Sequence, residues 1–417
     1  MPRLTPNPRH RAAGTRYAIA AALLLAILMP AASAQATTHL IKSMDSWDAV
    51  ASKLKPGDEV VLMPGKHRPI SLQGLAGTHE QPILVRGLSP TAPAVIAADR
   101  FGLELHRCQH IVVQDIAISG ATIHGIAIDD EPRAEDGQPF NANIILRNLK
   151  VEETGPKGQR DAISLSGVTN VQINSSVIEG WAGAAVNMVA CSQITLDALR
   201  TIALEDHTQF FGVTMRAGCA QIMIKNSRFE KTANAGIFVG GTTDLTHFRP
   251  AIPDVVSPGS VSEVSGLIID HCLFLHCTRP FDFAHAADWS IRQNTIVRPV
   301  DLILSLRLEQ QSDKFNRGGR GMLGLNLMIW EPGELTRLAL VDESINLRNF
   351  QLGRNLLWST DTPEDRGKLG ALPQSKTGAE QVTDLDPHLD ENFTPQMPPA
   401  RVFGWGGGGA TASAQDH

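Results

Sequence analysis

The chain is poor in cysteine, and the few cysteines it has exclude a disulfide framework. Five occur among 417 residues, an odd number at irregular spacing, without a Cys-x-x-Cys pair or a Cys/His zinc spacing. We therefore predict that most of them are small apolar side chains inside the fold. The five are Cys108, Cys191, Cys219, Cys272 and Cys277.

Aromatic residues and helical periodicity are also scarce. Aromatic side chains make up 5% of the chain, with a single tyrosine. A non-catalytic glycan-binding protein favours exposed aromatic rings on which sugars stack, so this scarcity favours an enzyme or a structural protein. Few stretches keep an apolar period of 3.6 residues, and glycine and asparagine recur too often for a helical protein.

The chain has no excess of positive charge and no apolar run long enough to cross a bilayer, so we predict no membrane span. Its net charge is −6. This argues against a nucleic-acid partner, which needs a basic face to meet phosphate. It leaves open an anionic glycan bound in a local basic groove.

The N-terminal residues predict a secretory signal peptide over residues 1–34. A segment with four arginines and no acidic residue precedes a short apolar run, residues 17–29, and Ala32-Ser33-Ala34 supplies small residues for cleavage. A retained anchor is the alternative interpretation. Cleavage would leave a net charge of −10 and a secreted or periplasmic protein.

Short apolar runs recur along the chain, and an Asn-like residue marks a similar point in each. Successive marker residues differ by 33, 26, 23, 29, 45 and 23 positions, and polar insertions account for the longest intervals. A period in the twenties indicates a solenoid, and Asn or Asp suits a left-handed corner between strands. The markers are Asp115, Asn148, Asn174, Asp197, Asn226, His271 and Asn294.

Each marker lies between two strand-like triplets whose outer residues are apolar and whose middle residue varies, which indicates one face inward and one outward. The first triplets begin at Ile111, Ile144, Val171, Ile194, Ile222 and Leu267, and the second at Ile126, Ile163, Val186, Val213 and Ile237. We predict an all-β protein, a single-stranded right-handed parallel β-helix. A β-propeller or a β-sandwich would not explain a corner that repeats at under thirty residues.

The ends of the solenoid are predicted to differ from its middle. Residues 46–54 have a helical pattern with Trp47, Val50 and Leu54 on one face, and we predict an N-terminal helical cap there. No linker separates residues 45–360, so residues 35–397 are predicted to form one domain and the protein a monomer. The Gly-rich tail, residues 398–417, is predicted to be disordered.

The opening segment Pro56-Gly-Asp-Glu-Val-Val-Leu-Met-Pro-Gly65, followed by Gly77-Thr-His-Glu-Gln-Pro-Ile-Leu-Val85, resembles the first coils of the β-helical polysaccharide lyases that include chondroitinase B and alginate lyases. The span from about residue 46 to 387 is similar to secreted bacterial right-handed β-helix proteins of the pectin-lyase-like superfamily. The resemblance implies the fold and a polysaccharide substrate.

The motifs that carry catalysis in those lyases do not match. They use a Lys and an Arg-His-Gly segment, whereas the comparable stretch here is Asp161-Ala-Ile-Ser-Leu-Ser166, and no Arg-His-Gly occurs. The Gly-His-Gly and Arg-Ile-Lys motifs of polygalacturonases are also missing. No catalytic residue is therefore carried over from either family.

A candidate site follows from stacking the second triplets, because equivalent residues of successive coils lie about 4.8 Å apart. His124 and Asp161 then become neighbours. We predict catalytic roles for these two and for Arg160 and Asp130. The predicted substrate-binding residues on the same face or in the insertions beside it are Asp129, Lys157, Ser164, Asn187, Arg216 and Arg249.

These residues fit two reactions on an acidic glycan. In β-elimination from a uronate, His124 would remove the proton next to the carboxylate, and Arg160, Arg216 or Lys157 would neutralise that carboxylate. In hydrolysis, Asp129 or Asp130 would act together with Asp161. The protein is thus predicted to be a polysaccharide lyase or hydrolase, or alternatively a glycan-binding or envelope-associated structural protein.

Each candidate also has a structural interpretation. Asp129 and Asp130 could turn the chain into the following insertion, and Asp161 could form a salt bridge with Arg160. Ser164 and Asn187 could belong to a solvated sheet face. The acidic insertion after Asp130 would suit calcium, although no Asp-x-Asp-x-Asp-Gly loop is present.

Overall fold

The described part of the chain coils through three parallel sheets. A computed structural model describes residues 36–129, 141–241, 243–310, 312–374 and 378–406. Within them, the chain passes through sheets A, B and C in turn, and neighbouring strands of each sheet pair in parallel. This confirms the predicted all-β, right-handed parallel β-helix.

Sheet A holds the first triplet of each coil. Its strands are β1 (Thr38–Ile41), β2 (Glu59–Leu62), β5 (Ile83–Gly87), β8 (Gln109–Gln114), β11 (Ala142–Arg147), β14 (Thr169–Asn174), β17 (Ser192–Asp197), β20 (Cys219–Lys225), β23 (Val264–Asp270), β26 (Ala286–Arg292), β29 (Arg320–Gly324) and β32 (Gln351–Leu352).

Sheet B follows the corner that ends each strand of sheet A. Its strands are β3 (Gly65–His67), β6 (Ala94–Ala97), β9 (Ile116–Ser119), β12 (Lys150–Thr154), β15 (Val177–Trp181), β18 (Arg200–Ile202), β21 (Arg228–Glu230), β24 (Leu273–Leu275), β27 (Thr295–Val297), β30 (Leu327–Trp330) and β33 (Leu356–Ser359).

Sheet C holds the second triplet of each coil and completes the turn. Its strands are β4 (Ile70–Gln73), β7 (Phe101–His106), β10 (His124–Asp129), β13 (Ile163–Ser166), β16 (Ala184–Val189), β19 (Phe211–Arg216), β22 (Ala235–Val239), β25 (Arg279–Ala284), β28 (Leu302–Arg307) and β31 (Arg337–Val341).

The apolar triplets set the register between coils. In sheet A, Ile111 pairs with Ile144, which pairs with Val171, as the stacking of first triplets predicted. All three side chains are buried in one continuous core that runs through the coils. Burying such a side chain contributes about 1.5–3 kcal/mol, so a slip of one residue, which would turn the whole set outward, is strongly disfavoured.

The corner between sheets A and B has a left-handed backbone, but the predicted marker column is wrong by one residue at three coils. Asn174 and Asp197 are the last residues of strands β14 and β17, since both pair in line with Arg147. The corner itself, where φ is positive, is formed in those coils by Ser175 and Ala198. Strand pairing therefore imposes the corner even where the residue has little preference for it.

The third misplaced marker, Asn294, lies one residue beyond the corner. It begins a ladder of buried asparagine side chains. Its Oδ1 accepts a hydrogen bond from the Cys272 N–H at 2.9 Å. Asn326 and Asn355 repeat this bond on the following coils, each accepting from the N–H of the preceding asparagine at 3.0 Å. The amides satisfy backbone groups that the tight corner would otherwise leave buried without partners.

The N-terminal cap contains a short helix, α1 (Asp48–Ala51), between strands β1 and β2. Trp47 and Leu54 flank it and belong to the main core, which agrees with the predicted apolar face. Strand β1, however, precedes the helix and already pairs with β2, so the sheet begins before the helix.

The C-terminal segment is ordered further than predicted. A short helix, α2 (Pro363–Lys368), follows the last coil, and 3-10 helices span Leu347–Asn349 and Pro398–Val402. Ala400 and Phe403 pack on Leu327 and Leu356 of sheet B. The predicted disorder from residue 398 is thus wrong for residues 398–406, because these apolar side chains are buried. Residues 407–417 lie outside the described part.

The insertion before strand β23 packs against the corner that follows the strands of sheet C. It contains a 3-10 helix, Leu245–His247, and then places Phe248 in a small core with Phe315 and Ala217. The five cysteines are all buried and free, as their predicted role requires. No helix in the described residues is long and apolar enough to span a membrane.

Candidate functional site

The outward columns of sheet C have the register that the sequence predicts. Ala127 pairs with Ser164, which pairs with Asn187, and Asn187 pairs with Thr214 on the next coil. The neighbouring column runs from Asp129 through Ser166 and Val189 to Arg216. We define the Asp161 cluster as His124, Asp161, Asn187, Thr214 and Arg216.

Asp161 is held at the edge of sheet C by the next coil. Its Oδ1 accepts a hydrogen bond from the Ala184 N–H at 2.9 Å. Gly183 makes this approach possible, since a Cβ added there would lie 2.5 Å from that oxygen. The residue is 8% exposed, so the carboxylate is largely desolvated yet still borders the outer face.

His124 stands one coil before Asp161. Its Nδ1 lies 3.3 Å from both the backbone oxygen and the backbone nitrogen of Asp161, and 4.0 Å from the carboxylate Oδ2. The half-exposed imidazole therefore directs Nδ1 at Asp161, and its Nε2 takes part in none of these contacts. The contacts at Nδ1 therefore fix the orientation of the imidazole ring.

Asn187 and Thr214 extend the cluster across two further coils. The Thr214 hydroxyl donates to Asn187 Oδ1 at 2.7 Å, which leaves the Asn187 amide to donate to Asp161. Burial raises the pKa of Asp161, and the Ala184 N–H, His124, Arg216 and Asn187 oppose that rise without cancelling it. A partly desolvated carboxylate among donors and cations is typical of catalytic sites.

Arg160 and Lys157 lie on the loop that leads into strand β13, and both side chains are exposed. Arg160 does not form an ion pair with Asp161; its backbone oxygen instead accepts from the Gly183 N–H at 2.8 Å. The interactions that lower the pKa of Asp161 include those with His124 and Arg216. Ser164 lies half-buried between Ala127 and Asn187 in the middle column.

Asp129 stands at the far end of strand β10 from His124. The two are five residues apart, about 16 Å in an extended strand, so Asp129 and Asp161 are at opposite edges of sheet C. Asp130 lies outside the described residues. Arg249 reaches the same far edge, where its guanidinium is 3.5 Å from the Gly167 oxygen.

Two further groups on this face were not predicted as part of the site. Phe211 and Phe238 place half-buried rings next to the cluster, with centroids 4.8 Å apart. Further along, the buried Asp282 pairs with Arg307 at 2.7 Å and Arg279 at 3.4 Å. The sequence signal for these three positions was their alignment with the second triplets. Phe238, for example, pairs with Asp282 on the next coil.

The described residues contain no group of three or more His, Cys, Asp or Glu side chains that could hold a metal ion. The acidic insertion that suggested calcium, residues 131–143, falls mostly outside those residues. The Asp161 cluster itself offers a carboxylate, an imidazole, an amide, a hydroxyl and a guanidinium.

Comparison with known proteins gives matches only at the level of the fold. No protein-family model matches the chain, and no curated protein matches it. Among solved structures, the GH136 lacto-N-biosidase from Eubacterium ramulus is 10% identical with a TM-score of 0.52, over 84% of this chain and 68% of that one.

Two other solved structures are similar. A rhamnogalacturonan lyase is 12% identical with a TM-score of 0.51, over 74% of this chain and 86% of that one. An alginate lyase from Paenibacillus sp. str. FPU-7 is 12% identical with a TM-score of 0.49, over 84% of this chain and 95% of that one. At these identities the two matches with TM-scores above 0.5 show the fold alone and do not assign an activity.

Proposed function

We propose that this protein is a secreted polysaccharide-active enzyme that cleaves an acidic, uronate-containing glycan by β-elimination at the Asp161 cluster. The observation that carries the proposal is the desolvated Asp161 carboxylate, held by the Ala184 N–H and facing His124 and Arg216. The fold supports it, since a rhamnogalacturonan lyase shares this architecture.

The cluster supplies the groups that β-elimination needs. Arg216 would neutralise the uronate carboxylate, which makes the proton on the adjacent C5 more acidic. His124 Nε2 would take that proton in the tautomer whose Nδ1–H donates to the Asp161 backbone oxygen, and the Asp161 carboxylate would stabilise the imidazolium that forms. The electron pair then forms the C4–C5 double bond as the C4–O bond breaks, and the leaving oxygen takes a proton from the imidazolium or from water.

Hydrolysis would need a second carboxylate near Asp161. The two carboxyl groups of a glycosidase lie about 5–10 Å apart. Asp129 does not meet this requirement, because its short side chain starts about 16 Å of strand away from the edge where Asp161 lies. Arg216 belongs to the same column as Asp129, but its longer side chain brings its charge close enough to act on Asp161. Asp129, the described residue suggested as the partner of Asp161 in hydrolysis, is therefore too far away, and we favour elimination.

A screen of the protein against uronate polysaccharides tests the proposal. Each reaction would be followed by the ultraviolet absorbance of the unsaturated product and, in parallel, by new reducing ends. Both signals should rise together on at least one substrate. New reducing ends without absorbance would show that the protein is a hydrolase and not a lyase. Binding without either signal would show that it is a glycan-binding protein and not an enzyme.

A further inference from the structure

An aromatic cluster lies on the solvent face of sheet C, apart from the aromatic residues of the core. The rings of Phe211 and Phe238 have centroids 4.8 Å apart at an interplanar angle of 44°. Phe210 lies 6.3 Å from Phe211 and is 39% exposed. By contrast, Phe229 and Phe274 are completely buried inside the coils, where packing accounts for them. Packing in the core does not explain the outer cluster.

The register places the aromatic cluster beside the Asp161 cluster. Phe211 pairs with Ala184 of the preceding coil, and Ala184 stacks on Asp161. Asp161 and Phe211 are therefore two coils apart in one column, about 10 Å along the solenoid axis. Phe238 pairs with Thr214, so it continues the column that contains Asn187. A chain molecule lying along sheet C would meet both clusters.

Small residues flank Phe211 in its column, although the ring itself is half-buried beside Phe210 and Phe238. The residues on either side of it in its column are Ala184 and Ala235, and neither side chain is large enough to cover a ring. Close to Phe238 lies Gly241, where an added Cβ would be 3.8 Å from the ring edge. The position of these small residues produces a shallow apolar step on the outer face of sheet C.

A fixed polar rim borders the step on the side away from Asp161. The Arg307 guanidinium lies 5.6 Å from the centroid of the Phe238 ring. Asp282 and Glu309 hold it there, with contacts of 2.7 Å and 2.6 Å. An arginine held in this way keeps its N–H donors in place. They can bind hydroxyl or carboxylate oxygens at the edge of a ligand whose apolar side faces the rings.

We propose that Phe211 and Phe238 form a stacking subsite for a pyranose ring of the glycan whose reacting unit occupies the Asp161 cluster. A pyranose presents C–H groups on its apolar face, and their partial positive charge suits the negative face of an aromatic ring. Its hydroxyl and carboxylate groups would extend to the rim at Arg307. The inference rests on the proposed glycan substrate and adds the place where the neighbouring part of that chain binds.

The test compares Phe211→Leu and Phe238→Leu with a matched control, Phe393→Leu. Phe393 is half-buried as they are, and it lies 5.9 Å from Arg228 much as Phe238 lies 5.6 Å from Arg307, but it sits against the outside of sheet B. Retardation in native gels that contain alginate or polygalacturonate gives Kd, and turnover gives KM and kcat. We expect each sheet C variant to raise Kd and KM by about two- to tenfold with kcat little changed, and the control to match the wild type.

Rescue by another aromatic residue separates stacking from support of the fold. Phe211→Trp should restore binding, and all variants should keep the melting temperature of the wild type within the change shown by the control. Unchanged Kd in both leucine variants overturns the stacking subsite while leaving the lyase proposal standing. If the protein has no turnover but its binding depends on the two rings, the stacking subsite is supported and the lyase proposal fails. A wild type that neither binds nor cleaves any uronate polymer overturns both.

Discussion

Asp161 reaches its hydrogen-bond donor only because residue 183 has no side chain. A Cβ at Gly183 would lie 2.5 Å from Asp161 Oδ1 and 3.0 Å from the Arg160 backbone nitrogen. Gly183→Ala should therefore displace the carboxylate from the Ala184 N–H and from His124. We expect turnover to fall by about 10-fold or more, a 1.4 kcal/mol loss, with KM changed less than kcat.

The matched control for this substitution is Gly367→Ala on helix α2, where an added Cβ would have no neighbour within 4 Å. That variant should retain wild-type turnover and melting temperature. If Gly183→Ala turns over as fast as the control, the carboxylate position does not matter for catalysis and the assigned role of Asp161 fails.

At the scale of the element, His285 fastens the segment after strand β28 to the solenoid. Its Nδ1 donates to the Asn316 oxygen at 2.7 Å, and its Nε2 accepts from the N–H groups of Glu309 and Gln310 at 3.0 and 2.8 Å. Burial lowers the pKa of His285 below its usual 6.5. Protonation would turn Nε2 into a donor facing two other donors.

This depressed pKa predicts a stability that depends on pH. The contribution of His285 is complete above the unfolded value of 6.5 and is lost as the pH falls through the lower folded value. The difference in melting temperature between the wild type and His285→Gln should therefore shrink between about pH 8 and pH 5. Burial raises the pKa of Glu263, an effect of opposite sign, but it is common to both proteins and cancels in the difference. A constant difference would contradict the fastening role.

The strands could be predicted from the sequence, whereas the exact residues of the corners could not. Apolar triplets fix the register because a shift of one residue would expose them, so the columns through Ser164 and Asn187 were predictable. The corner at Ser175 and Ala198 was not, since strand pairing rather than residue preference sets its backbone.

The sequence predicted which columns of sheet C hold the site, but it did not predict the contacts within the site. Sequence adjacency suggested Arg160 as the partner of Asp161, but the cation that acts on the carboxylate is Arg216, two coils further on. The Ala184 N–H is invisible to any residue pattern, because every residue except proline carries that donor. Phe211 and Phe238 were present in the predicted columns, but the low aromatic content obscured their grouping on one face.

For the whole molecule, the solenoid buries every cysteine within its coils. Burial raises the pKa of Cys272 to about 12 and that of Cys277 to about 11, so these two thiols are almost entirely protonated in the folded protein. Cys219 Sγ accepts a hydrogen bond from the Cys191 N–H at 3.3 Å, which makes these two the pair that oxidation could join.

Thiol titration tests this arrangement. Without reductant, we expect slow labelling in the native state and at least three thiols in denaturant, whether or not Cys191 and Cys219 are joined. A count of one would require two disulfides and would contradict the packing of the coils.

The measurement that tests the account most directly is the turnover and melting temperature of Asp161→Asn on the uronate polymer cleaved by the wild type. Asparagine keeps an oxygen for the Ala184 N–H but removes the charge that faces His124 and Arg216. Asp288→Asn, which removes an exposed carboxylate paired with Arg320, is the control. We predict that Asp161→Asn lowers turnover by about 10²-fold or more with the melting temperature close to that of the control. A variant that keeps its activity but is clearly less stable would show that Asp161 supports the fold and does not belong to an active site.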